Sequence, residues 1–336
     1  MLFPFTFILF FNRKLYHQLC DSSLKIWFGL SVFLLEKFCN IKIVLHESKC
    51  NKSESKPNKS SIVVMNHRTR FDWLFYFCIL YRLNALSKIK IILKDSLKRI
   101  SGPAWAMQTA LFIFLKRKWS EDQITFNKFI DYYYSIQKSF MILIFPEGTD
   151  LTPNSIEKSN KFAEERNLSK YEYVLHPRVT GFNHIFNRMF SNDQIDCIHD
   201  VTVAYRGGII PKGEADFLAE SKGDKSENEI LEEWINERWK IKENFLKNFY
   251  APNVEIEELD KEYETKNEMI NGIQLYFYPV YWIVSLTLIT YLCFSFSIVQ
   301  FYFAIALLFY IYQQFFSKNI DNFILNSFEE NKRKTN

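Results

Sequence analysis

A histidine and an aspartate lie five positions apart in the segment 66–72, whose sequence is NHRTRFD. His67 comes just after the apolar run Ser61–Met65, which is typical of a buried strand, and Asp72 lies on the predicted helix that follows. Functional groups of α/β proteins usually lie where a strand ends. A carboxylate can fix the tautomer of an imidazole and stabilise its protonated form, so the pair suits general-base chemistry. An H-x4-D spacing also arises by chance.

A second polar block follows the apolar run Met141–Phe145. Pro146 and Gly148 bracket Glu147, and Thr149 comes next, which puts a carboxylate at another strand end. Two polar blocks after successive strands favour one site on a common rim of the sheet.

Three cations, Lys116, Arg117 and Lys118, end a further apolar run, Leu111–Leu115. Guanidinium and ammonium groups at a strand end suit a phosphate, because they donate hydrogen bonds to its oxygens. The alternative is a solvated basic strand end with no ligand.

These blocks require a sheet to hold them in place. The apolar runs, which also include Val201–Tyr205, alternate with longer helical stretches such as Glu121–Lys138. Alternation of this kind predicts an α/β fold with a mixed, largely buried sheet flanked by helices. A charged amphipathic helix is predicted at Asn228–Tyr250.

The segment Met269–Ser317 contains no Asp, Glu, Lys, Arg or His over 49 residues. About 20 apolar residues cross a bilayer, so two spans are predicted, Leu275–Phe294 and Ser297–Phe316. The alternative, a buried hairpin of a soluble protein, requires a polar outer face that this segment lacks. Near the N-terminus, apolar residues at helical spacing across Leu24–Phe38 predict an interfacial or partly embedded helix.

The predicted organisation follows from these shifts in composition. In chain order we expect an N-terminal membrane-associated arm at 1–47, a polar linker at 48–60, a catalytic domain at 61–250, a connector at 251–268, a two-helix transmembrane segment at 269–317 and a polar tail at 318–336.

Composition excludes several classes of protein. A net charge of +4 is too small to predict a nucleic-acid surface, and 9 Gly with 9 Pro argue against disordered or collagen-like chains. The six cysteines form no C-x-x-C pair, so we expect reduced packing residues, with no zinc site or disulfide framework. No metal or bound cofactor is expected.

Four blocks in order resemble a known family: NHRTRFD, FIFLKR, FPEGTD and YEYVLHPRVTGF. They resemble the glycerolipid acyltransferases of the 1-acylglycerol-3-phosphate acyltransferase superfamily, especially its lysocardiolipin acyltransferase branch. The resemblance runs from about Ser61 to Tyr205 and is weaker through Tyr250 and in the hydrophobic tail. It implies an integral membrane enzyme that moves a fatty acyl chain from acyl-CoA, a co-substrate, to an anionic lysophospholipid.

The resemblance also implies roles for single residues. His67 would be the general base and Asp72 its orienting partner. The residues implied in binding the acceptor and its phosphate are Lys116, Arg117, Glu147, Gly148, Thr149 and Arg178. Those implied as structural parts of the motifs are Asn66, Pro146 and Pro177.

Three features depart from the family pattern. Many lysophosphatidate acyltransferases carry an arginine directly after F-P-E-G-T, where this chain has Asp150. After Tyr205 the chain is short and shows no alternation typical of a further strand, which leaves a missing strand or an incomplete gene product as readings. The N-terminal arm is also short, with one hydrophobic span where relatives have a more complete pair.

Two other functions are weighed against the enzyme. A catalytically inactive lipid-binding relative or scaffold is the alternative, based on the shortened region after Tyr205. A serine lipid hydrolase would need a G-x-S-x-G elbow, which the sequence lacks. The expected location is the endoplasmic reticulum membrane, multi-pass, with the catalytic domain facing the cytosol. Partners are the two substrates and the bilayer, with no nucleic acid.

Overall fold

The computed structural model describes residues 8–47, 59–100, 102–206, 210–217, 227–251, 264–266, 272–315 and 320–326. The chain forms two compact units that alternate along the sequence. The first unit comprises Met1–Leu34, Asn84–Lys138 and Met269–Asn336, and the second comprises Leu35–Leu83 and Ser139–Glu268.

Helices and strands alternate through most of the chain. The helices are α1 (Ile8–Phe11), α2 (Arg13–Phe33), α3 (Asp72–Arg82), α4 (Pro103–Thr109), α5 (Trp119–Ser135), α6 (Pro153–Glu165), α7 (Val179–Ser191), α8 (Glu227–Phe249), α9 (Gly272–Ser295), α10 (Ser297–Phe315) and α11 (320–326). The strands are β1 (Val44–Glu47), β2 (Ser60–Met65), β3 (Ile89–Lys94), β4 (Ile113–Leu115), β5 (Met141–Ile144), β6 (Ile195–Arg206), β7 (Ile210–Phe217) and β8 (Glu264–Lys266). A π-helical turn at Leu34–Phe38 continues α2, and a 3₁₀ turn at Asp95–Arg99 follows β3.

The second unit is built on a mixed sheet with the strand order β5-β2-β6-β7-β1-β8. Strand β2 pairs in parallel with β5 and with β6, whereas β6 and β7 are antiparallel. All six residues of β2 are buried, as expected for a parallel strand covered on both faces. Because β2 and β5 run in parallel, with Val64 opposite Ile144, their polar extensions leave the sheet at the same edge. The predicted α/β fold, with a mixed sheet flanked by helices, is confirmed.

The region after Tyr205 corrects the sequence analysis. The expectation of a missing strand there is wrong, because Ile210–Phe217 forms β7, paired with β6 from His199 opposite Phe217 to Arg206 opposite Ile210. The polar sequence IPKGEADF shows no alternation of apolar and polar residues that would predict a strand. Backbone hydrogen bonds to β6 hold it in the sheet all the same, because they do not depend on side-chain type. The inactive-relative alternative therefore loses the missing strand that was its main argument.

Helix α8 packs against β6 through a buried ion cluster. Arg238 Nε lies 2.5 Å from Asp200 Oδ2, and Lys242 Nζ lies 2.5 Å from Asp200 Oδ1. Lys242 Nζ also donates to the carbonyl of Val201 at 2.7 Å. A buried ammonium needs such partners, so this cluster sets the position of α8 on the sheet.

The first unit contains the β3–β4 parallel pair and the apolar helices. Helix α9 packs on α2, where the Tyr278 ring lies so close to Gly29 that an added Cβ would clash with it. Trp282 Nε1 also donates to the carbonyl of Ile26 at 3.4 Å. Within the described residues, two helical stretches are long and apolar enough to cross a membrane, Ile273–Ser295 and Ser297–Phe315. Most of their side chains are exposed in the structure.

The predicted domain boundaries stay predictions. Residues 48–58 of the linker and most of the polar tail lie outside the described residues, and Ser60 already belongs to β2. Residues 84–138, which were predicted within the catalytic domain, belong to the first unit.

Candidate active site

The histidine loop, defined as residues 66–72, brings His67 and Asp72 together. It leaves the sheet at the end of β2, and α3 begins at Asp72. His67 Nδ1 lies 2.9 Å from Asp72 Oδ2, and the two groups belong to the same turn of the chain. The predicted contact between this histidine and aspartate is therefore present in the structure.

The Asp72 carboxylate is fully buried and is held by several donors. The amide of Thr69 donates to Oδ2 at 2.9 Å, and the Thr69 hydroxyl donates to Oδ1 at 3.1 Å. The Tyr205 hydroxyl also donates to Oδ1. With 0% of its side chain exposed and donors on both oxygens, the Asp72 carboxylate has a fixed orientation.

The His67 ring is partly exposed. The side chain is 17% exposed, and no residue in the described part of the chain bonds its Nε2. The Phe145 ring stacks on it with centroids 4.2 Å apart and an interplanar angle of 27°. If Nδ1 carries the proton and donates it to Asp72, Nε2 presents a lone pair that can accept a proton from a substrate.

Tyr205 is a site residue that the sequence analysis did not select. Burial raises the pKa of its hydroxyl, and the nearby Asp72 raises it further, so the group remains a proton donor at neutral pH. The sequence held one indication of its role. Tyr205 ends the apolar run Val201–Tyr205, and the other apolar runs of the predicted site are each followed by polar site residues.

Glu147 joins the histidine loop to a second loop. Its Oε1 accepts the amide of His67 at 3.1 Å, and its Oε2 accepts the amide of Leu175 at 3.2 Å. Burial raises the pKa of Glu147 to about 8, although both amide donors act in the opposite direction. The amide of Leu151 donates to the carbonyl of His67 at 2.9 Å, so the backbone of His67 is held on both sides.

The arginine loop, defined as residues 172–178, is held by carboxylates from other elements. Glu243 on α8 accepts the amides of Glu172, Tyr173 and Val174 at 2.7, 2.8 and 3.0 Å. The Leu175 amide bonds Glu147, as described above. Four successive amides therefore end on two buried carboxylates, which fixes the loop without regular secondary structure.

Arg178 ends this loop next to the Glu147 block. Its amide donates to the carbonyl of Pro146 at 2.8 Å. Its side chain lies beside Gly148, where an added Cβ would be 3.6 Å from Arg178 Cδ. Gly148 has a φ of +72°, which a residue with a Cβ rarely adopts. The predicted residues Glu147, Gly148 and Arg178 thus lie together with His67, and Pro177 lies one position before Arg178.

Asn66 has a structural role. Its side chain exchanges two hydrogen bonds with the backbone of Val203 on β6, at 3.1 Å from Nδ2 and 2.7 Å to Oδ1. These bonds continue the pairing of β2 with β6 beyond the end of β2, so Asn66 sets where the histidine loop begins.

Thr149 and Asp150 border the histidine loop. The Thr149 hydroxyl donates to Asp150 Oδ1 at 3.3 Å, and Arg70 Nε lies 3.3 Å from Asp150 Oδ2. Partial burial raises the pKa of Asp150, but hydrogen bonds and the positive charge of Arg70 outweigh it, so the net pKa is lowered. At the position where many lysophosphatidate acyltransferases are expected to carry an arginine, this chain has Asp150, which bonds Arg70 of the histidine loop.

Lys116 and Arg117 belong to the first unit. Lys116 Nζ lies 2.7 Å from Glu121 Oε2, and the Lys116 amide donates to Asp122 Oδ1 at 2.8 Å. Arg117 has a φ of +63°. The role of these two cations in phosphate binding stays a prediction.

The assembled groups are suited to proton transfer. Within the described ranges, no three His, Cys, Asp or Glu side chains are grouped so that they could hold a metal ion. A histidine oriented by a buried carboxylate can activate a hydroxyl, and an arginine near it can hold an anionic substrate.

Comparisons with known proteins agree with the motif blocks. A family model described as Acyltransferase matches residues 47–206. The chain is 36% identical to mouse Lysocardiolipin acyltransferase 1 over 335 residues, covering 94% of this chain and 86% of that protein. It is 38% identical over 264 residues to the zebrafish protein of the same name, covering 74% of this chain and 66% of that one.

A nematode relative carries a different name. The chain is 32% identical over 257 residues to Lysophosphatidylinositol acyltransferase 10 of Caenorhabditis elegans, covering 71% of this chain and 64% of that protein. A search of the solved structures found no match.

Proposed function

The chain belongs to the 1-acylglycerol-3-phosphate acyltransferase superfamily, in its lysocardiolipin acyltransferase branch, and we propose that it transfers a fatty acyl chain from acyl-CoA to a lysophospholipid. The observation that carries this proposal is the 2.9 Å contact between His67 Nδ1 and the buried Asp72, with Nε2 left open. The reaction would use the free hydroxyl of the lysophospholipid as the nucleophile.

The proposed mechanism uses one general base. His67 Nε2 removes the proton from the acceptor hydroxyl as its oxygen attacks the carbonyl carbon of the thioester. Asp72 holds the Nδ1 proton and stabilises the imidazolium that forms. When the C–S bond breaks, the thiolate takes the proton from His67, which yields the new ester and free CoA. No acyl-enzyme is required, because the acceptor oxygen itself attacks the donor.

We propose an anionic acceptor, either lysocardiolipin, lysophosphatidylinositol or lysophosphatidate. Arg178 lies beside Gly148, and the neighbouring Glu147 bonds the amide of His67. A guanidinium at this place suits a phosphate. Relatives named for lysocardiolipin and lysophosphatidylinositol are consistent with this choice. Lys116 and Arg117 are proposed to bind phosphate, and Glu147, Gly148 and Thr149 to shape the acceptor site.

The membrane arrangement follows from the location of the acceptor in a bilayer. We propose that α9 and α10 span the membrane and that α2 lies at its interface. The second unit would face the cytosol, where acyl-CoA is present, and the endoplasmic reticulum is the proposed membrane. The sequons at Asn51, Asn58 and Asn167 would then carry no glycan. A mass shift after glycosidase treatment would contradict this orientation.

The proposal is tested with membranes that contain the full chain. Oleoyl-CoA is offered with a panel of anionic and zwitterionic lysophospholipids, and the products are resolved by mass. His67→Ala is expected to abolish transfer. His184→Ala, which changes a histidine on α7, serves as the matched control and is expected to retain activity.

The outcomes separate the two functions under consideration. Transfer that disappears only in His67→Ala supports the enzyme and identifies its acceptor. No transfer by a well-expressed parent, together with retained binding of lysophospholipid, favours the non-catalytic lipid-binding relative. Transfer restricted to zwitterionic acceptors would contradict the anionic-acceptor proposal.

A further inference from the structure

Arg70 lies within the histidine loop, between the two proposed catalytic residues, and its side chain is 82% exposed. We propose that Arg70, held by Asp150, binds a phosphate group of a substrate at the entrance to the His67 site. This inference rests on the proposed function, which it deepens by naming a further binding residue.

The contacts of Arg70 leave most of its donors available. Its Nε lies 3.3 Å from Asp150 Oδ2, and within the part of the chain that the structure describes the two terminal amino groups have no partner. A guanidinium carries five N–H donors in a planar fork that matches two oxygens of a phosphate. One donor therefore orients the group through Asp150, and the other four remain for a ligand.

Both residues of the Arg70–Asp150 pair lie in segments that are held by hydrogen bonds close to His67. The Trp73 indole N–H donates to the carbonyl of Arg70 at 2.8 Å, which fixes the backbone of Arg70 at the start of α3. The residue after Asp150 donates its amide to the carbonyl of His67 at 2.9 Å. The guanidinium is thus carried by the two segments that also position the proposed general base.

The neighbouring Arg68 provides a comparison, because its contacts are those of an arginine with a structural role. Arg68 Nη1 donates to the carbonyl of Tyr173 at 3.2 Å, and its guanidinium carbon lies 4.7 Å from the centroid of the Tyr250 ring. Arg68 therefore ties the histidine loop to the arginine loop. Arg70 has no such packing role, and an exposed ion pair with Asp150 contributes little to stability. This contrast favours ligand binding for Arg70.

Two sources can supply the phosphate. The acceptor lysophospholipid carries one in its headgroup, and acyl-CoA carries several in its nucleotide portion. Kinetics with each substrate varied in turn distinguish them. An acyl donor that lacks the nucleotide, the oleoyl thioester of N-acetylcysteamine, gives a second way to distinguish the two sources of the phosphate.

The test compares Arg70→Ala and Arg70→Lys in the full chain in membranes. We expect Arg70→Ala to raise KM about tenfold for one of the two substrates, with kcat within about threefold of the parent, since Arg70 binds without taking part in proton transfer. Arg70→Lys should recover part of the loss, because it restores the charge without the planar fork. Arg166→Ala, which removes another exposed arginine of the second unit, is the matched control and should change neither constant.

The KM pattern identifies the source of the phosphate. A rise confined to the lysophospholipid assigns its headgroup. A rise confined to oleoyl-CoA, with no change for the N-acetylcysteamine thioester, assigns the nucleotide portion. Unchanged KM values for both substrates, or a fall in kcat alone, would overturn the proposal.

Asp150→Asn tests whether the contact with Asp150 holds Arg70 in place for binding, a role called the tether below. It should raise the same KM less than Arg70→Ala does, and it should add nothing in the Arg70→Ala background, because the tether then has no arginine to hold. Additive effects of the two substitutions would contradict the tether.

A binding measurement keeps this proposal separate from catalysis. Full-length His67→Ala protein, solubilised in detergent, is titrated with CoA and with short-chain lysophosphatidate. Weaker binding of either probe after Arg70→Ala supports the site even if the parent shows no acyl transfer. Equal binding of both probes with and without Arg70 would refute it.

Discussion

The histidine loop and the arginine loop both end on buried carboxylates, but the carboxylates come from different distances along the chain. In the histidine loop, Asp72 bonds His67 and Thr69, which lie within five positions of it. In the arginine loop, the amides of residues 172–175 bond Glu243 and Glu147, which lie between 28 and 71 positions away. The first loop organises much of its own geometry, whereas the second is positioned by the folded sheet and by α8.

The two loops therefore have different roles: the histidine loop takes part in the proposed proton transfer, and the arginine loop positions Arg178. Asp72 touches the ring of the proposed general base, so its charge affects proton transfer directly. Within the described residues, the hydrogen bonds to the Glu243 carboxylate all come from backbone amides, and Glu243 follows Lys242, which anchors α8 to β6. Its loss would move Arg178 without changing His67. Substitutions in the two loops should therefore affect different measured quantities.

The largest effect is expected for Asp72→Asn. The amide keeps the shape of the side chain but removes the charge that stabilises the imidazolium, so kcat should fall by about 10³-fold. Transfer from oleoyl-CoA, normalised to folded protein, measures the change. A loss of less than about tenfold would show that the local pair does not control the chemistry.

Glu243→Gln tests the arginine loop. A glutamine offers one carbonyl oxygen to three amides, so the free energy of unfolding should fall by about 2 kcal/mol. We expect kcat/KM for the acceptor to fall about tenfold, since the loop ends at Arg178. Unfolding midpoints in detergent and acceptor kinetics measure the two effects.

Glu237→Gln is the control for that substitution, because it makes the same change of charge at an exposed position of α8. It should leave both quantities unchanged. If Glu243→Gln lowered kcat as strongly as Asp72→Asn does, with KM unchanged, the distinction between chemistry and placement would fail.

Glu147 bonds both loops and predicts a pH dependence of stability. Its pKa is about 8 in the folded protein against an ordinary value of 4.5, so the folded state retains a proton that the unfolded state releases between these values. Stability should therefore fall as pH rises from about 4.5 to about 8, by an amount on the order of 5 kcal/mol. Unfolding midpoints of the parent and of Glu147→Gln across this window measure it, and parallel curves would contradict the prediction.

The smallest effect is expected for Tyr205→Phe, which removes a hydrogen-bond donor to Asp72 that lies 133 positions away along the chain. The amide and hydroxyl of Thr69 and the ring of His67 still hold the carboxylate. We expect kcat to fall about fivefold, on the basis of about 1 kcal/mol for one hydrogen bond, with KM unchanged. A loss near that of Asp72→Asn would show that the histidine loop also depends on a distant partner.

The sequence by itself predicted the elements that depend on local pattern. The apolar run Ser61–Met65 became β2, the uncharged segment Met269–Ser317 became two apolar helices, and the block NHRTRFD formed the contact between His67 and Asp72. These features follow from hydrophobic periodicity and from hydrogen bonds over a few residues, which are properties of a short stretch of chain. The resemblance of the four blocks to a family is likewise a property of the sequence, and the comparisons confirmed it.

Only the tertiary structure decided which distant groups meet. Strand β7 forms because its backbone pairs with β6, and its polar sequence carried no strand pattern. Tyr205, Glu243 and Asp150 acquire their roles from partners that lie 69 to 133 positions away along the chain. A hydrogen bond requires two groups within about 3 Å, and for such distant residues only the packing of the whole unit provides that approach.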